Sequence, residues 1–399
     1  MVTKLCIIEE GASRRLSDYM KEACLSGPCC VIYDTNTYDI PELSHPAASQ
    51  EIVLEAKGLH ATEAVLDHVL STLRPDISCI VSAGTGTITD IGRYCATEKH
   101  IPFVSMPTAM SCDAFTSNVA AISVNGYKVT LPKVPPVLVV ADLGVIANAP
   151  WFLTASGIAD LLAKYTALAD WRISHLVTGE YLCEDIYALT RKALLDVAGS
   201  VDSIMEGSYD AYEALTYGLL LSGIAIQMTG NSRPASGAEH HISHFIEIEP
   251  PSLGVRTDAL HGEKVGVGLV IVSGIYHEMA GHEDISPLLE PYSPVPEETF
   301  LAFFGPELAP SSMKENKDDC LAKVTPEALS AEWPEIRKII QNDIPSQEEL
   351  LSLLGKIHAK RTLSDIGVPE DKLRLLVEAS PLMRNRLTLM RMRRLFKSL

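Results

Sequence analysis

An apolar run that ends in a glycine-rich turn occupies residues 77–87, Ile77-Ser78-Cys79-Ile80-Val81-Ser82-Ala83-Gly84-Thr85-Gly86-Thr87. Residues 77–83 predict a buried strand, and a helical pattern begins near Thr89. Backbone N–H groups and the helix dipole at such a junction favour an anion such as a pyrophosphate. A tight bend without a ligand is an equally open interpretation, because Thr89 stands where the Rossmann fingerprint has its third glycine.

Strand and helix patterns alternate on both sides of this turn. Further buried strands are predicted at 29–34, 101–106 and 137–141, with a helix at 62–73. Segments about 20–30 residues apart predict a mostly parallel sheet with right-handed crossovers. An alternating pattern at 122–131, centred on Asn125-Gly126, predicts a β-hairpin excursion from that sheet.

From Pro150 onward the pattern changes to long helices, which are predicted at 158–174, 183–200 and 209–227. A proline-rich patch at 287–296 is predicted to separate these helices from a later group. A chain of 399 residues is long for one core. We therefore predict an α/β nucleotide-binding domain at 1–150 and an all-α, metal- and substrate-binding domain at 151–399.

Composition argues against several classes of protein. A net charge of −18 lacks the basic footprint of a nucleic-acid-binding protein. The longest uncharged apolar run, 265–276, is shorter than the roughly 20 residues that span a bilayer, and the charged N-terminus does not resemble a signal peptide. Nine cysteines without C-x-x-C spacing predict a reducing compartment, and we expect a cytoplasmic protein.

Basic residues cluster near the end of the sequence without an acid among them: Arg384, Arg386, Arg391, Arg393, Arg394 and Lys397. A solvated face of a last helix, with its cations towards the favourable C-terminal end, is the preferred interpretation. An interaction arm is the alternative.

Polar side chains also follow two other predicted strands. Asp34 ends the strand at 29–34, and residues 107–113, Pro107-Thr108-Ala109-Met110-Ser111-Cys112-Asp113, follow the strand at 101–106. Open α/β sheets bind ligands at the carboxyl ends of their strands, so these segments and the glycine turn predict one cofactor site, with Asp34 facing ribose hydroxyls. Helix caps at 108–113 and an Asx-turn at Asp34 are the alternatives.

A histidine-rich segment predicts a metal site. It comprises residues 236–244, Ser236-Gly237-Ala238-Glu239-His240-His241-Ile242-Ser243-His244, and is followed by His261. His240 and His244 share one face of a helix, and His261 adds a third imidazole. Asp160, in an otherwise apolar stretch, offers the anionic ligand, although its spacing equally allows an ion pair with Lys164.

At these segments the chain resembles the iron-alcohol dehydrogenase and dehydroquinate synthase superfamily, and within it most of all the glycerol-1-phosphate dehydrogenase family. The resemblance covers roughly residues 34–267 and is most specific at 158–171 and 232–240. It implies a dehydroquinate synthase-like fold, NAD or NADP, and one divalent metal, which could be zinc, nickel or iron. It also implies a homo-oligomer, for which a dimer is the default.

The activity that the resemblance implies is reduction of a small phosphorylated ketone, dihydroxyacetone phosphate, to sn-glycerol 1-phosphate, a step of phospholipid biosynthesis. Glycerol or another polyol dehydrogenase, or dehydroquinate synthase, is the alternative on the same scaffold. A non-catalytic cofactor-binding protein is the alternative from another class, because a fold does not guarantee a function.

The resemblance also implies roles for single residues. The metal ligands are Asp160, His240 and His261, Asp113 contacts the substrate, and His241 is left out of the coordination set. The predicted cofactor-binding residues are Asp34, Gly84, Thr85, Gly86, Thr87, Ile88, Thr108, Ala109, Met110, Ser111 and Ser117. The sequence Ala83-Gly84-Thr85-Gly86 departs from the usual glycine triplet, and Met110 and Cys112 also differ, which leaves the choice between NAD and NADP open.

Two further predictions concern catalysis. Asp160 and His244 are the predicted catalytic residues. Asp160 is also a predicted substrate residue, and the alkoxide that forms on reduction takes a proton from water or His244. Arg233 and Lys264 are the cations nearest to the histidines in the sequence, and Arg233 is the preferred phosphate ligand. A surface or interface role for Arg233 is the alternative.

Overall fold

The computed structural model describes residues 2–124 and 127–397. The chain forms two compact units. Unit 1 comprises Met1–Leu161 and Lys192–Asn231, and unit 2 comprises Leu162–Arg191 and Ser232–Leu399. The predicted domains at 1–150 and 151–399 stay a prediction.

Unit 1 contains a parallel six-stranded sheet and a separate antiparallel ribbon. The strands are β1 Leu5–Glu9, β2 Cys29–Asp34, β3 Gln50–Leu54, β4 Cys79–Gly84, β5 Phe103–Pro107, β6 Val119–Val124, β7 Tyr127–Pro132 and β8 Leu138–Asp142. The order across the sheet is β1-β8-β5-β4-β2-β3, and all its pairs are parallel. The predicted parallel sheet is therefore confirmed, and β2 has the predicted bounds.

Helices flank the sheet in unit 1 and make up most of the secondary structure of unit 2. In chain order they are α1 Leu16–Glu22, α2 Thr35–Tyr38, α3 Glu63–Thr72, α4 Gly86–Lys99, α5 Leu143–Ala147, α6 Trp151–Leu162, α7 Lys164–Thr178, α8 Glu184–Met205, α9 Tyr209–Thr229, α10 Ala238–Glu247, α11 His261–Ala280, α12 Glu297–Glu315, α13 Pro326–Asp343, α14 Gln347–Lys356, α15 Leu373–Ala379 and α16 Leu389–Met392. The helical character predicted beyond residue 150 is confirmed. Among the described residues, no helix combines the length and apolarity that crossing a membrane requires.

The two faces of the sheet carry separate apolar clusters. Val31 and Tyr33 of β2 pack with Leu16 of α1, whereas Ile32, between them, packs with Ile91 of α4. Successive side chains of a strand point to opposite faces, so a strand covered on both sides needs a continuous apolar run. This is why β2 was recognisable in the sequence.

The ribbon of β6 and β7 pairs antiparallel, with Ile122 opposite Val129. It confirms the predicted hairpin strands. The predicted turn residues, Asn125 and Gly126, lie outside the described residues.

Unit 2 is built around one apolar cluster that includes Phe245 of α10, Tyr276 of α11 and Trp333 of α13. The predicted helix at 158–174 is instead two helices, because α6 ends at Leu162 and α7 begins at Lys164. The break at Ala163 has no sequence signal, since alanine is the best helix former. The proline-rich patch at 287–296 lies between α11 and α12, as predicted.

The predicted solvated helix at the basic end of the sequence is wrong. Residues 380–395, which we call the arginine strap, contain a 3-10 turn at Ser380–Leu382, the single turn of α16 and a 3-10 turn at Arg393–Leu395. Arg391 is fully buried, and Leu389 and Leu395 belong to the apolar cluster of unit 2. Arg386, Arg391 and Arg394 have partners within the unit, and the strap therefore packs as core instead of lying on the surface.

Candidate active site

The predicted cofactor segments of unit 1 lie at one edge of the sheet. Strands β2, β4 and β5 are consecutive and parallel, so their carboxyl ends meet there. Gly84 of β4 is in register with Pro107 of β5, and the Thr108 amide donates to the Gly84 carbonyl at 3.3 Å. The structure thus brings the glycine turn and the 108–113 segment together.

The glycine turn leads directly into α4, which begins at Gly86. Its N-cap, Thr85, makes no side-chain cap hydrogen bond, and the first turn of α4 contains no acid. A Cβ on Gly84 would lie 2.6 Å from Cβ of the buried Ile88, so glycine is needed where the turn folds back on the helix. The first amides of α4 therefore have no side-chain cap, an arrangement that suits an anion.

Asp34 caps α2. Its Oδ1 accepts hydrogen bonds from the backbone amides of Asn36 at 2.9 Å and Thr37 at 2.8 Å. This is the Asx arrangement that the sequence left open as the alternative. Its contact with a ribose stays a prediction.

Helix α6 lies against the 108–113 segment. The Ser156 hydroxyl donates to the Ser111 carbonyl at 2.9 Å, and a Cβ on Gly157 would lie only 1.9 Å from the Met110 carbonyl oxygen. One turn further on, the buried Asp160 accepts at Oδ2 from the Asp113 amide at 3.0 Å. The predicted metal ligand Asp160 and the predicted substrate residue Asp113 are therefore neighbours within unit 1.

Asp113 and Ser117 flank a 3-10 turn, Ala114–Thr116. The Ser222 hydroxyl of α9 donates to Asp113 Oδ2 at 2.7 Å. The fully buried Arg93 of α4 donates to the Ala114 carbonyl at 2.5 Å and to Ser117 Oγ at 3.5 Å. The sequence did not indicate this role of Arg93, because these two partners lie 21 and 24 residues away.

Three imidazoles face one another in unit 2. His240 and His244 lie on one face of α10, as predicted, and His261 is the first residue of α11. The ring centroid of His261 is 5.5 Å from that of His240 and 5.9 Å from that of His244. We call these three residues the histidine cluster.

Two carboxylates orient two of these rings. Nδ1 of His240 donates to Oε1 of Glu239 at 2.7 Å, and Nδ1 of His261 donates to Oε1 of Glu247 at 2.8 Å. A proton on Nδ1 leaves Nε2 as the coordinating nitrogen, and such carboxylate–histidine pairs orient metal ligands. The chemistry of this donor set therefore fits a divalent metal. Neither glutamate was predicted to have a role, although Glu239 belongs to the histidine-rich segment 236–244 and Glu247 follows it closely.

Glu239 is buried inside a dense set of donors. It also accepts from the Thr166 hydroxyl at 2.6 Å and from the Gly237 amide at 2.7 Å. Burial alone would raise the pKa of Glu239, but the hydrogen bonds from His240, Thr166 and Gly237 lower it below its ordinary value. Glu239 is therefore ionised at neutral pH.

His244 completes the cluster differently. Burial lowers its pKa well below 6.5, the Glu247 carboxylate opposes this shift, and the Arg384 charge adds to it. Its Nδ1 is buried and has no hydrogen-bond partner among the described residues. Ligand atoms of His244, Glu247 and His261 all lie within 4.8 Å of one another. His244 thus presents a neutral imidazole beside His261.

Arg233 is buried. Its guanidinium donates to both oxygens of Glu180, at 2.7 and 2.5 Å, and to the Leu387 carbonyl at 2.7 Å. Nζ of Lys264 lies 3.8 Å from Oε1 of Glu247. Both predicted phosphate cations therefore already have acidic partners, and the role of Arg233 stays a prediction.

Comparisons with known proteins agree with this architecture. Residues 7–150 match the family model described as iron-containing alcohol dehydrogenase. A solved structure described as a probable glycerol dehydrogenase from Sinorhizobium meliloti superposes with a TM-score of 0.62 over 95% of this chain and 89% of that chain, at 17% identity. A likeness at this identity shows the shared fold.

Two curated relatives are closer in sequence. Glycerol-1-phosphate dehydrogenase (NAD(P)+) of Bacillus licheniformis is 36% identical over 289 residues, which are 70% of this chain and 72% of the relative. The protein of the same name from Geobacillus stearothermophilus is 34% identical over 331 residues, 83% of this chain and 75% of the relative. The chain therefore belongs to the glycerol-1-phosphate dehydrogenase family.

Proposed function

We propose that this protein reduces dihydroxyacetone phosphate to sn-glycerol 1-phosphate with NADH or NADPH and one divalent metal, and catalyses the reverse oxidation. One observation supports it most: His240 and His261 face each other with Nδ1 bonded to Glu239 and Glu247. This leaves two Nε2 atoms for a metal in a chain whose relatives are named for this activity.

Asp160, His240 and His261 would hold the metal, which could be zinc, nickel or iron. When bound, the metal and the reduced nicotinamide supply Lewis acidity at the ketone oxygen and the hydride, respectively. Glu239 and Glu247 keep the two imidazoles in the tautomer that ligation needs. The Asp113 amide, on Oδ2 of Asp160, orients that carboxylate.

The cofactor would lie along the carboxyl edge of the sheet. The first amides of α4, from Gly86 to Ile88, would bind the pyrophosphate, and Asp34 the adenosine ribose. The nicotinamide side is assigned to Thr108, Ala109, Met110, Ser111 and Ser117. All five are at most 7% exposed, so a nicotinamide bound against them would be shielded from water.

His244 would move the proton. A neutral imidazole can accept a proton at one nitrogen while it donates from the other, so it can pass a proton from water to the product oxygen. Burial, which lowers the pKa of His244, keeps it in the neutral form that such a relay needs. Asp113, held by Ser222, would contact a substrate hydroxyl.

We also propose that the protein works in the cytoplasm as a homo-oligomer. A dimer is the simplest closed assembly. A single peak at twice the mass of 43.3 kDa in light scattering would support it.

The proposal is tested by following NADH and NADPH oxidation with dihydroxyacetone phosphate before and after chelation. We expect chelation to abolish turnover and a divalent metal to restore it. His261→Ala should remain inactive after metal is added, because it lacks an imidazole ligand, whereas His282→Ala, outside the histidine cluster, should behave like the wild type. Full activity in His261→Ala would disprove the metal assignment. Faster turnover of glycerol than of glycerol 1-phosphate would favour a polyol dehydrogenase.

A further inference from the structure

The arginine strap is hydrogen-bonded to the part of unit 2 that carries the histidine cluster. The Leu389 amide donates to Oδ1 of the buried Asp170 at 2.8 Å, while Oδ2 of Asp170 accepts from the Ala238 amide, the first of α10, at 2.9 Å. The guanidinium of Arg386 donates to the Ser236 carbonyl at 2.7 Å. The Asp170 carboxylate thus accepts hydrogen bonds from both the arginine strap and α10.

Three other arginines of this region already have hydrogen-bond partners in unit 2. Arg391 donates to Asp319 and Asn316 at 2.7 Å, and Arg394 donates to Asp319 at 2.9 Å. Arg386 also bonds the Ser232 hydroxyl at 2.6 Å. These cations hold the fold together and are not available to a ligand.

Arg384 is different. It is half-buried, and within residues 2–124 and 127–397 its guanidinium makes no hydrogen bond or ion pair. Its backbone is fixed nonetheless, because its carbonyl accepts from Arg391 Nη1 at 2.8 Å and from the Arg386 amide at 2.8 Å. A fixed backbone therefore carries an unpaired cation.

The segment that carries this cation packs against the helix of His240 and His244. The turn Ser380–Leu382, just before Arg384, packs against α10, and Arg386, just after it, bonds Ser236 in the entry to α10. The backbone of Arg384 is thus held next to the helix that carries His240 and His244.

We propose that Arg384 binds the phosphate of the substrate, an inference that rests on the proposed function. A protein of net charge −18 repels a phosphate dianion unless a local cation attracts it. Arg384 offers its planar fork of donors, which matches phosphate oxygens in a bidentate contact. Arg233 and Lys264 are less suitable, because binding a phosphate would take them from Glu180 and Glu247.

The test compares Arg384→Gln with the wild type, in full metal-loaded enzyme, on dihydroxyacetone phosphate and on dihydroxyacetone. Charge-assisted hydrogen bonds of about 1.5–3 kcal/mol correspond to a loss of roughly 10–150-fold. We expect this loss in kcat/KM for the phosphorylated ketone, mainly through KM, and almost none for dihydroxyacetone. Arg384→Lys should recover part of it.

Arg374→Gln is the matched control, because Arg374 is exposed and, among the residues that the structure describes, pairs only with Glu378 on its own helix. This substitution should leave kcat/KM unchanged for both ketones. Equal losses on the two ketones in Arg384→Gln would mean a structural role and overturn the proposal, as would an unchanged KM for the phosphorylated one.

A binding measurement separates this inference from the activity. Calorimetry with inorganic phosphate should show weaker binding to Arg384→Gln than to the wild type, whether or not the ketone is turned over. If the wild type reduces no phosphorylated ketone, the proposed function fails. If it does so and Arg384→Gln binds phosphate as tightly as the wild type, only the assignment of Arg384 fails.

Discussion

The side chain of Glu239 connects His240, a candidate metal ligand, to a neighbouring helix of unit 2. It bonds His240, Thr166 and the Gly237 amide, three groups that belong to α10, α7 and the entry to α10. The sequence revealed the histidines but not this support. A glutamate next to a histidine is common, and only the fold shows that its carboxylate turns back to bond the ring.

Glu239→Gln should weaken metal binding by about 10–100-fold, because the neutral amide is a poorer acceptor for the His240 ring and lowers its basicity. The measurement is competition with a chromophoric chelator, accompanied by thermal unfolding of the metal-free protein. Glu278→Gln, an exposed change on α11, is the control and should not alter the affinity. Equal affinities for wild type and Glu239→Gln would show that Glu239 does not orient a ligand.

The partners of Arg233 show where prediction from sequence ended. The position of Arg233 before the histidines suggested a free cation, but Glu180 and the Leu387 carbonyl, 53 and 154 residues away, engage it. Arg384 was grouped with other basic residues for the same reason. Local sequence shows which side chains are charged, whereas distant contacts decide which charges remain unpaired.

At the scale of elements, α6 and the 108–113 segment depend on close backbone approach. Gly157→Ala would place a methyl group 1.9 Å from the Met110 carbonyl oxygen. We expect a loss of about 1–3 kcal/mol in the free energy of unfolding and a higher KM for NADPH, since the segment must move. Urea denaturation and steady-state kinetics measure the two effects.

Gly199→Ala provides the matched comparison for that substitution. Gly199 lies within α8 and, apart from the adjacent residues and the nearby backbone of its own helix, no described atom lies within 4 Å of the position a Cβ would take. Gly199→Ala should raise the free energy of unfolding by about 0.5–1 kcal/mol, because alanine is the better helix former. A stabilised Gly157→Ala would contradict the proposed packing of α6.

Helices and strands could be predicted from the sequence where a single pattern of apolar residues indicates them. Buried strands such as β2 show continuous apolar runs, and α9 shows a long helical period. Strand β3 was missed because two of its five residues are exposed, and the break between α6 and α7 was missed because Ala163 suits a helix. Both outcomes depend on tertiary context.

For the whole molecule, Asp170 couples stability to pH. Burial and the Glu239 charge raise the pKa of Asp170 to about 7, although bonds from Leu389, Tyr276 and Ala238 oppose the shift. The folded state therefore keeps a proton up to about pH 7 that the unfolded chain loses near 3.8. Between these values the folded state binds more protons, so the free energy of unfolding falls as pH rises.

Asp170→Asn removes this titration. The difference in unfolding free energy between wild type and variant should fall between pH 4 and 7 by at most about 1.4 kcal/mol per pH unit, and should be flat above pH 8. Guanidinium denaturation across that range measures it. A constant difference from pH 4 to 7 would show that Asp170 ionises normally in the folded protein.

The contacts of the arginine strap also set an order of events during synthesis. Arg386 meets Ser236 across 150 residues of chain, and Leu389 meets Asp170 across 219. At about 5–20 residues per second, the ribosome needs roughly 8–30 s to extend the nascent chain from Ser236 to Arg386. The histidines emerge long before their last supports, and we expect the growing polypeptide to acquire its ion only after the strap has left the exit tunnel.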